Sequence, residues 1–207
     1  MTYLRDPAAI YARSFAIIRA EADLSDLPIS AQDIAVRVIH ACGMVEAAQD
    51  LLITPDFAVA AKVALSARKP IFVDVEMTRH GIIRGQLPEG VDIICTLNDP
   101  SARAIGISKS ITRTAAAVEL WHEQIAGALV AIGNAPTALF RLLELIDAGM
   151  PKPAAIIAFP VGFVGAVESK EELIANPRGI PFATIRGRNG GSAMASSVIN
   201  ALTSSDP

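Results

Sequence analysis

Five short apolar runs, each followed by a helix-forming stretch or a loop, constrain this chain more than any other feature. They are Ile71–Val75, Val91–Leu97, Ala128–Ile132, Ala154–Phe159 and Phe182–Arg186. The runs are continuous rather than alternating, which is the pattern of strands buried on both faces. Alternation of such strands with helices predicts a parallel sheet covered on both sides, and so an α/β fold.

The helices follow from caps and spacing. Asp6-Pro7 supplies an N-cap and a first-turn proline, and Tyr11, Phe15, Ile18 and Ala22 then recur at helical intervals. Ser30 opens a second helix with Asp33 in a capping-box-like position; Ile34, Val38 and Ala41 form its stripe and Gly43 its stop. Thr54-Pro55 starts a third helix that reaches Arg68. Further helices are expected over Ser110–Ile125, over Thr137–Ala148 (ended by Gly149), over Lys170–Ala175 with Ser169 and Glu172 as caps, and after Gly190-Gly191. No linker or repeat interrupts this order, so the chain reads as one domain, residues 1–207.

Composition decides between a globule and a membrane protein. The chain is 52% hydrophobic and only 19% charged over 207 residues, with a mean hydropathy of +0.42. A span needs about 20 mostly apolar residues. The uncharged stretch Gln124–Phe140 reaches only 17, and holds Gly127, Gly133, Asn134 and Pro136. A soluble, cytoplasmic protein is therefore expected, and no membrane partner. The net charge is −3 and no Lys/Arg cluster is visible, so no nucleic-acid partner is expected either. Cys42 and Cys95 form no CxxC and suggest no disulfide framework.

In parallel sheets, ligands bind beyond the carboxyl ends of the strands. That points to Glu76–Gly85, Asn98–Ser110, Gly133–Pro136, Pro160–Gly165 and Gly187–Ser192. The dinucleotide pattern GxGxxG is absent from the last of these. Gly106-Ile107-Ser108-Lys109-Ser110 lacks the glycines of a P-loop. No GxSxG elbow occurs, which weakens a case for nucleophilic catalysis, and no ligand-spaced His/Cys pair occurs, so no metal is expected.

The histidines differ in interest. His122 sits within a predicted helix, and His80 in a predicted loop. His40 follows Arg37 by three residues, so both side chains lie on one helical face. A neighbouring cation favours the neutral imidazole. His40 reads either as an acid–base group or as a hydrogen-bonded buried histidine. Arg13, Arg37, Arg79, Arg84, Arg113, Arg186 and Arg188 could surround one cleft, where guanidinium groups would match carboxylates; each is equally at home in a surface ion pair.

Five segments together resemble the precorrin-8X methylmutase family. They are Tyr11-Ala12-Arg13-Ser14-Phe15, Arg37-Val38-Ile39-His40-Ala41-Cys42-Gly43, Gly133-Asn134-Ala135-Pro136-Thr137-Ala138-Leu139, Pro160-Val161-Gly162-Phe163-Val164-Gly165-Ala166 and Arg186-Gly187-Arg188-Asn189-Gly190-Gly191-Ser192. The resemblance runs from the first helix to the last. It implies a flavodoxin-like three-layer α/β/α sandwich with a five-stranded parallel sheet. It also implies an isomerase of corrin-ring (cobalamin) synthesis that moves a methyl group from C-11 to C-12 of precorrin-8X, a tetrapyrrole, to give hydrogenobyrinate. A homodimer with active sites at the subunit interface is implied, with no cofactor. The catalytic histidine of the family falls on His40 and substrate-contacting positions on Ser14 and Arg37, while Tyr11, Arg13 and Arg113 line the same site. Two other classes remain open at this stage: a non-catalytic corrinoid carrier, which would not need His40, and a flavodoxin-like flavin or nucleotide binder, which would purify with its ligand.

Overall fold

The computed structural model describes residues 3–204. Helix α1 (Pro7–Glu21) begins as its sequence predicts: the Asp6 carboxylate accepts the Ala9 N–H at 2.8 Å, with Pro7 in the first turn. Helix α2 (Ile29–Cys42) stops at Gly43, whose φ of 70° ends it in the left-handed region. A 3₁₀ turn over Val45–Asp50 leads to β1 (Leu51–Ile53). Then come α3 (Phe57–Ser66), β2 (Ile71–Val73), α4 (Glu76–Gly81), β3 (Ile93–Ile94), α5 (Pro100–Lys109) and α6 (Arg113–Val118). The chain continues through β4 (Leu129–Ile132), α7 (Pro136–Asp147), β5 (Ala155–Ala158), α8 (Ala166–Ala175), β6 (Phe182–Ile185) and α9 (Ser192–Thr203).

All five apolar runs become parallel strands, in the sheet order β1-β6-β5-β4-β2-β3. The expected five-stranded parallel sheet is in fact a six-stranded, mostly parallel one. The addition is β1, which pairs antiparallel with β6, Leu51 opposite Ile185. Three residues between Asp50 and Thr54-Pro55 are too short a run to announce a strand, and here partner geometry rather than pattern makes one.

Alternate residues of each strand feed two cores. Ile71, Val73, Leu129, Ala131, Ile157 and Ile185 pack under α2, α3 and α9. Phe72, Val130, Ile132, Ile156 and Phe182 pack under α6, α7 and α8. Both faces are therefore dry, which is why the strands read as continuous apolar runs. A third, smaller cluster of Ile18, Val36, Ile39 and Ala48 fixes α1 on the outside of α2.

Several local expectations change. Pro28, not Ser30, precedes α2, and the Asp33 carboxylate pairs with Arg19 at 2.7 Å instead of capping. Ser169 lies inside α8, its hydroxyl donating to the Ala166 carbonyl, so α8 begins after Gly165. The segment read as a loop over Asn98–Ser110 is mostly α5, opened by Asp99-Pro100, the same signal that opens α1. The helix expected over Ser110–Ile125 is broken. Ser110 ends α5 at φ 54°, and the Thr112 hydroxyl caps the short α6 by accepting the Ala115 N–H. His80 is helical, on α4, with Nδ1 2.8 Å from the Glu76 carbonyl. Among the described residues, no helix is long and apolar enough to cross a membrane.

Candidate active site

Tyr11, Ser14, Phe15 and Ile18 fall at i, i+3, i+4 and i+7, so α1 presents them on one face. Buried Ile18 docks that face on Val36 and Ile39 of α2. One turn of α2 then brings Arg37 and His40 beside the α1 rings. The Phe15 ring meets the His40 imidazole edge-on, at 5.2 Å between centroids and 84° between planes. Tyr11 lies 5.6 Å from the imidazole at a tilt of 34°, and 5.7 Å from Phe15. These are separations at which aromatic edges and faces attract.

The imidazole is exposed to solvent, and among the described residues no hydrogen bond reaches it. The alternative of a buried, hydrogen-bonded histidine is thereby overturned. An exposed ring packed against Tyr11 and Phe15 is placed to exchange a proton with a ligand.

Arg37 is half-buried. Its guanidinium carbon sits 5.1 Å from the Phe15 centroid and 5.9 Å from that of Tyr11, and one Nη donates to the Ser204 hydroxyl at 2.8 Å. Cation–π stacking and this bond hold the fork in place. Tyr11, Phe15 and Arg37 form one wall of a cleft of about 480 Å³, extended on α1 by Pro7, Ala8 and Ala12 and closed opposite by Ile83 and Gln86. Apolar walls with one fixed cation suit a flat apolar ligand that carries carboxylates.

The remaining expected residues divide. Half-buried Ser14 shares the α1 face of Tyr11 and Phe15. Arg13 is exposed, and an offset of two residues from Tyr11 turns it to another side of α1. Arg113 opens α6, which covers the opposite face of the sheet from α2, so one chain does not bring it to His40 by this fold alone. Phe15, Ile83 and Gln86 were not singled out as site residues from the sequence. Phe15 carries a signal, since it lies one turn from Tyr11; Ile83 and Gln86 reach the cleft only through tertiary packing of the segment after α4.

With this geometry in place, comparison with known proteins is decisive. The family model described as precorrin-8X methylmutase matches residues 9–205. The chain is 56% identical over 200 residues to the precorrin-8X methylmutase of a Sinorhizobium species, covering 97% of this chain and 95% of the relative. It is 52% identical to the precorrin-8X methylmutase of Pseudomonas aeruginosa, covering 97% and 96%. The chain belongs to the precorrin-8X methylmutase family. Among solved structures, the precorrin-8X methylmutase of Thermus thermophilus superposes with a TM-score of 0.85 at 32% identity, covering 95% of this chain and 94% of that one.

A side chain of this methylmutase-family protein fills the usual ligand crevice of such a sheet. The crevice lies where strand order reverses, here between β2 and β4. The Asp74 carboxylate occupies it, buried, accepting the N–H groups of Gly133 at 2.9 Å, Asn134 at 3.0 Å and Ala135 at 2.8 Å. Desolvation pushes the Asp74 carboxyl above the usual carboxylate range, against the pull of those three donors. Thr78 donates to the Ser192 hydroxyl at 2.9 Å beside it. The donors that would cradle a phosphate in a nucleotide-binding relative of this fold are spent on the chain's own carboxylate. No composition or motif signal singled Asp74 out, because it sits inside an apolar run.

Proposed function

We propose that this chain isomerises precorrin-8X to hydrogenobyrinate by moving a methyl group from C-11 to C-12, a step of corrin-ring synthesis on the route to cobalamin. The observation that carries the reading is the exposed imidazole of His40, packed against Tyr11 and Phe15, two residues that also line an apolar cleft with Arg37. His40 donates a proton to a ring nitrogen beside the migrating centre and recovers it after the shift, so the step is an isomerisation with no net gain or loss. General acid–base help of this kind contributes typically 10²–10⁴-fold. Arg37, with Ser14 and Tyr11 beside it, holds the carboxylate-edged macrocycle in place. A shift within one molecule asks for no redox or group-carrying cofactor.

The chain acts as a single precorrin-8X methylmutase domain spanning residues 1–207, a flavodoxin-like sandwich in which five parallel strands carry an added antiparallel edge. It works in the cytoplasm as a homodimer. Two features support the dimer. Helix α1 leaves Ile10, Tyr11 and Ile17 between 41% and 48% exposed, an apolar surface unusual for an outer helix. Arg113, which the family resemblance puts in the site, opens α6 on the face of the sheet opposite α2, so a second subunit would have to supply it. Incubation of the purified protein with precorrin-8X tests the reading: the visible spectrum of hydrogenobyrinate should grow in without added cofactor. An unchanged spectrum would contradict it. A bound corrinoid without conversion would leave only carriage.

A further inference from the structure

A second cluster lies beyond the carboxyl ends of β5 and β6, apart from the His40 group. The loop after β5 turns Phe163 and Val164 outward at 85% and 88% exposure, with Val161 beside them at 40%. Apolar side chains this open usually meet something. The exposed guanidinium of Arg188, from the loop after β6, lies over the Phe163 ring at 5.2 Å. No carboxylate pairs with Arg188 among the described residues.

The two loops are fastened to each other. The Gly162 N–H donates to the Arg188 carbonyl at 3.3 Å, and the Gly191 N–H to the Phe159 carbonyl at 2.8 Å. From below, Lys170 of α8 donates its ammonium to the Asn189 carbonyl at 2.6 Å, with the whole residue at 0% exposure. Burying an ammonium is costly, and a methionine would fill the same space without that cost. Lys170 is thus better explained by what it holds than by packing. It fixes the residue next to Arg188.

We propose that Arg188, braced on Phe163 and positioned by Lys170, grips a carboxylate arm of the substrate while Val161, Phe163 and Val164 cover an apolar edge of the same macrocycle. Charge and shape select this occupant: an unpaired guanidinium fork over a ring, ringed by aliphatic side chains, complements a flat apolar body with acetate and propionate arms. The loop that carries Arg188 is anchored at its start as well, where the Arg186 N–H donates to the Asp50 carbonyl at 2.9 Å. The proposal rests on the reading of precorrin-8X as substrate. Arg188 is a specificity-determining contact in it and Lys170 a positioning residue.

The test titrates hydrogenobyrinate by its visible absorption and measures precorrin-8X turnover in the whole protein. Arg188→Gln should raise both the product Kd and KM at least tenfold, with a smaller effect on kcat, and Phe163→Ser should move in the same direction. Lys170→Met should raise KM likewise, and Lys170→Arg should restore most of it, which a purely packing role would not require. Arg188 and Phe163 are exposed, so their variants carry the test even where Lys170→Met fails to fold. Wild-type Kd and KM in Arg188→Gln and Phe163→Ser, in a chain that still converts precorrin-8X, would overturn this proposal alone. A changed sedimentation coefficient with unchanged Kd would assign the patch to a subunit contact and also overturn it. A wild-type chain that neither binds nor converts the macrocycle would take the parent reading down with it.

Discussion

The Phe15 ring packs edge-on against the His40 imidazole, 5.2 Å between centroids, while its face supports the Arg37 guanidinium at 5.1 Å. One phenyl ring therefore aligns both groups to which the proposed function gives a role. Loss of an aromatic pair is worth about 0.5–1.5 kcal/mol. Phe15→Ala should lower kcat roughly two- to tenfold and also weaken product binding. In a His40→Ala background the same change should leave kcat unaltered, because the two act as one unit. Steady-state and product-titration data on the cycle of four proteins check this.

Arg37 offers a different split. Its fork is held by Ser204 and two rings and faces the cleft, but no step of the chemistry passes through it. A hydrogen bond to a charged group contributes about 1.5–3 kcal/mol. Arg37→Ala should therefore raise the Kd for hydrogenobyrinate roughly ten- to hundredfold, with a smaller loss in kcat. Unchanged affinity would remove Arg37 from the substrate contacts.

The placement of Arg113 on the far layer of the sheet makes the proposed dimer testable by mixing. Arg113→Ala and His40→Ala homodimers should each be nearly inactive. After subunit exchange, half the dimers are mixed and each mixed dimer has one site with both residues intact. Activity should then recover to about a quarter of wild type, as expected for a two-fold interface whose sites draw on both subunits. No recovery, with exchange demonstrated, would place Arg113 outside the site or within the same chain's site.

Lys170 predicts a pH dependence. Burial lowers its pKa to about 8 from an ordinary 10.5, with Glu171 and Asp50 partly opposing the shift. Between those values the unfolded chain binds more protons than the folded one, so stability should rise with pH from about 8 upward as the buried ammonium is relieved of its charge. Urea midpoints measured from pH 7 to pH 10 should show this rise in wild type and a flatter profile in Lys170→Met. Parallel profiles would mean that Lys170 titrates as an exposed lysine does.

Gly190 is the tightest point between the two loops beyond β5 and β6. A Cβ there would lie 2.4 Å from the Phe159 carbonyl oxygen and 2.7 Å from that of Pro160, both backbone atoms with little room to yield. Overpacking of this kind costs about 1–3 kcal/mol, a fall of several degrees in Tm for a chain of this size. Thermal unfolding of Gly190→Ala checks it; Gly187→Ala, where nothing stands within 4 Å, separates crowding from the strain of a positive φ.

Much of the fold is legible in the sequence because burial on both faces leaves the five parallel strands as unbroken apolar runs, and because Asp6-Pro7 and Gly43 punctuate helices by local chemistry. What is not legible depends on partners far along the chain. β1 exists because β6 lies beside it. α5 has a start signal in Asp99-Pro100 but no apolar stripe, with Ala102 its only buried residue. At the site, helical spacing alone pairs Arg37 with His40 and puts Tyr11 in line with Phe15. That α1 crosses α2 at these residues is a tertiary fact, carried by Ile18, Val36 and Ile39. The exposure of His40 and the self-filled crevice at Asp74 follow from packing and left no mark in the sequence.

The central claim is that His40 moves the proton that the methyl shift requires. Single-turnover conversion of precorrin-8X by His40→Ala, with excess enzyme and product affinity measured on the same preparation, tests it most directly. The rate should fall by about 10²–10⁴-fold while hydrogenobyrinate still binds. A wild-type rate in that variant would contradict the account.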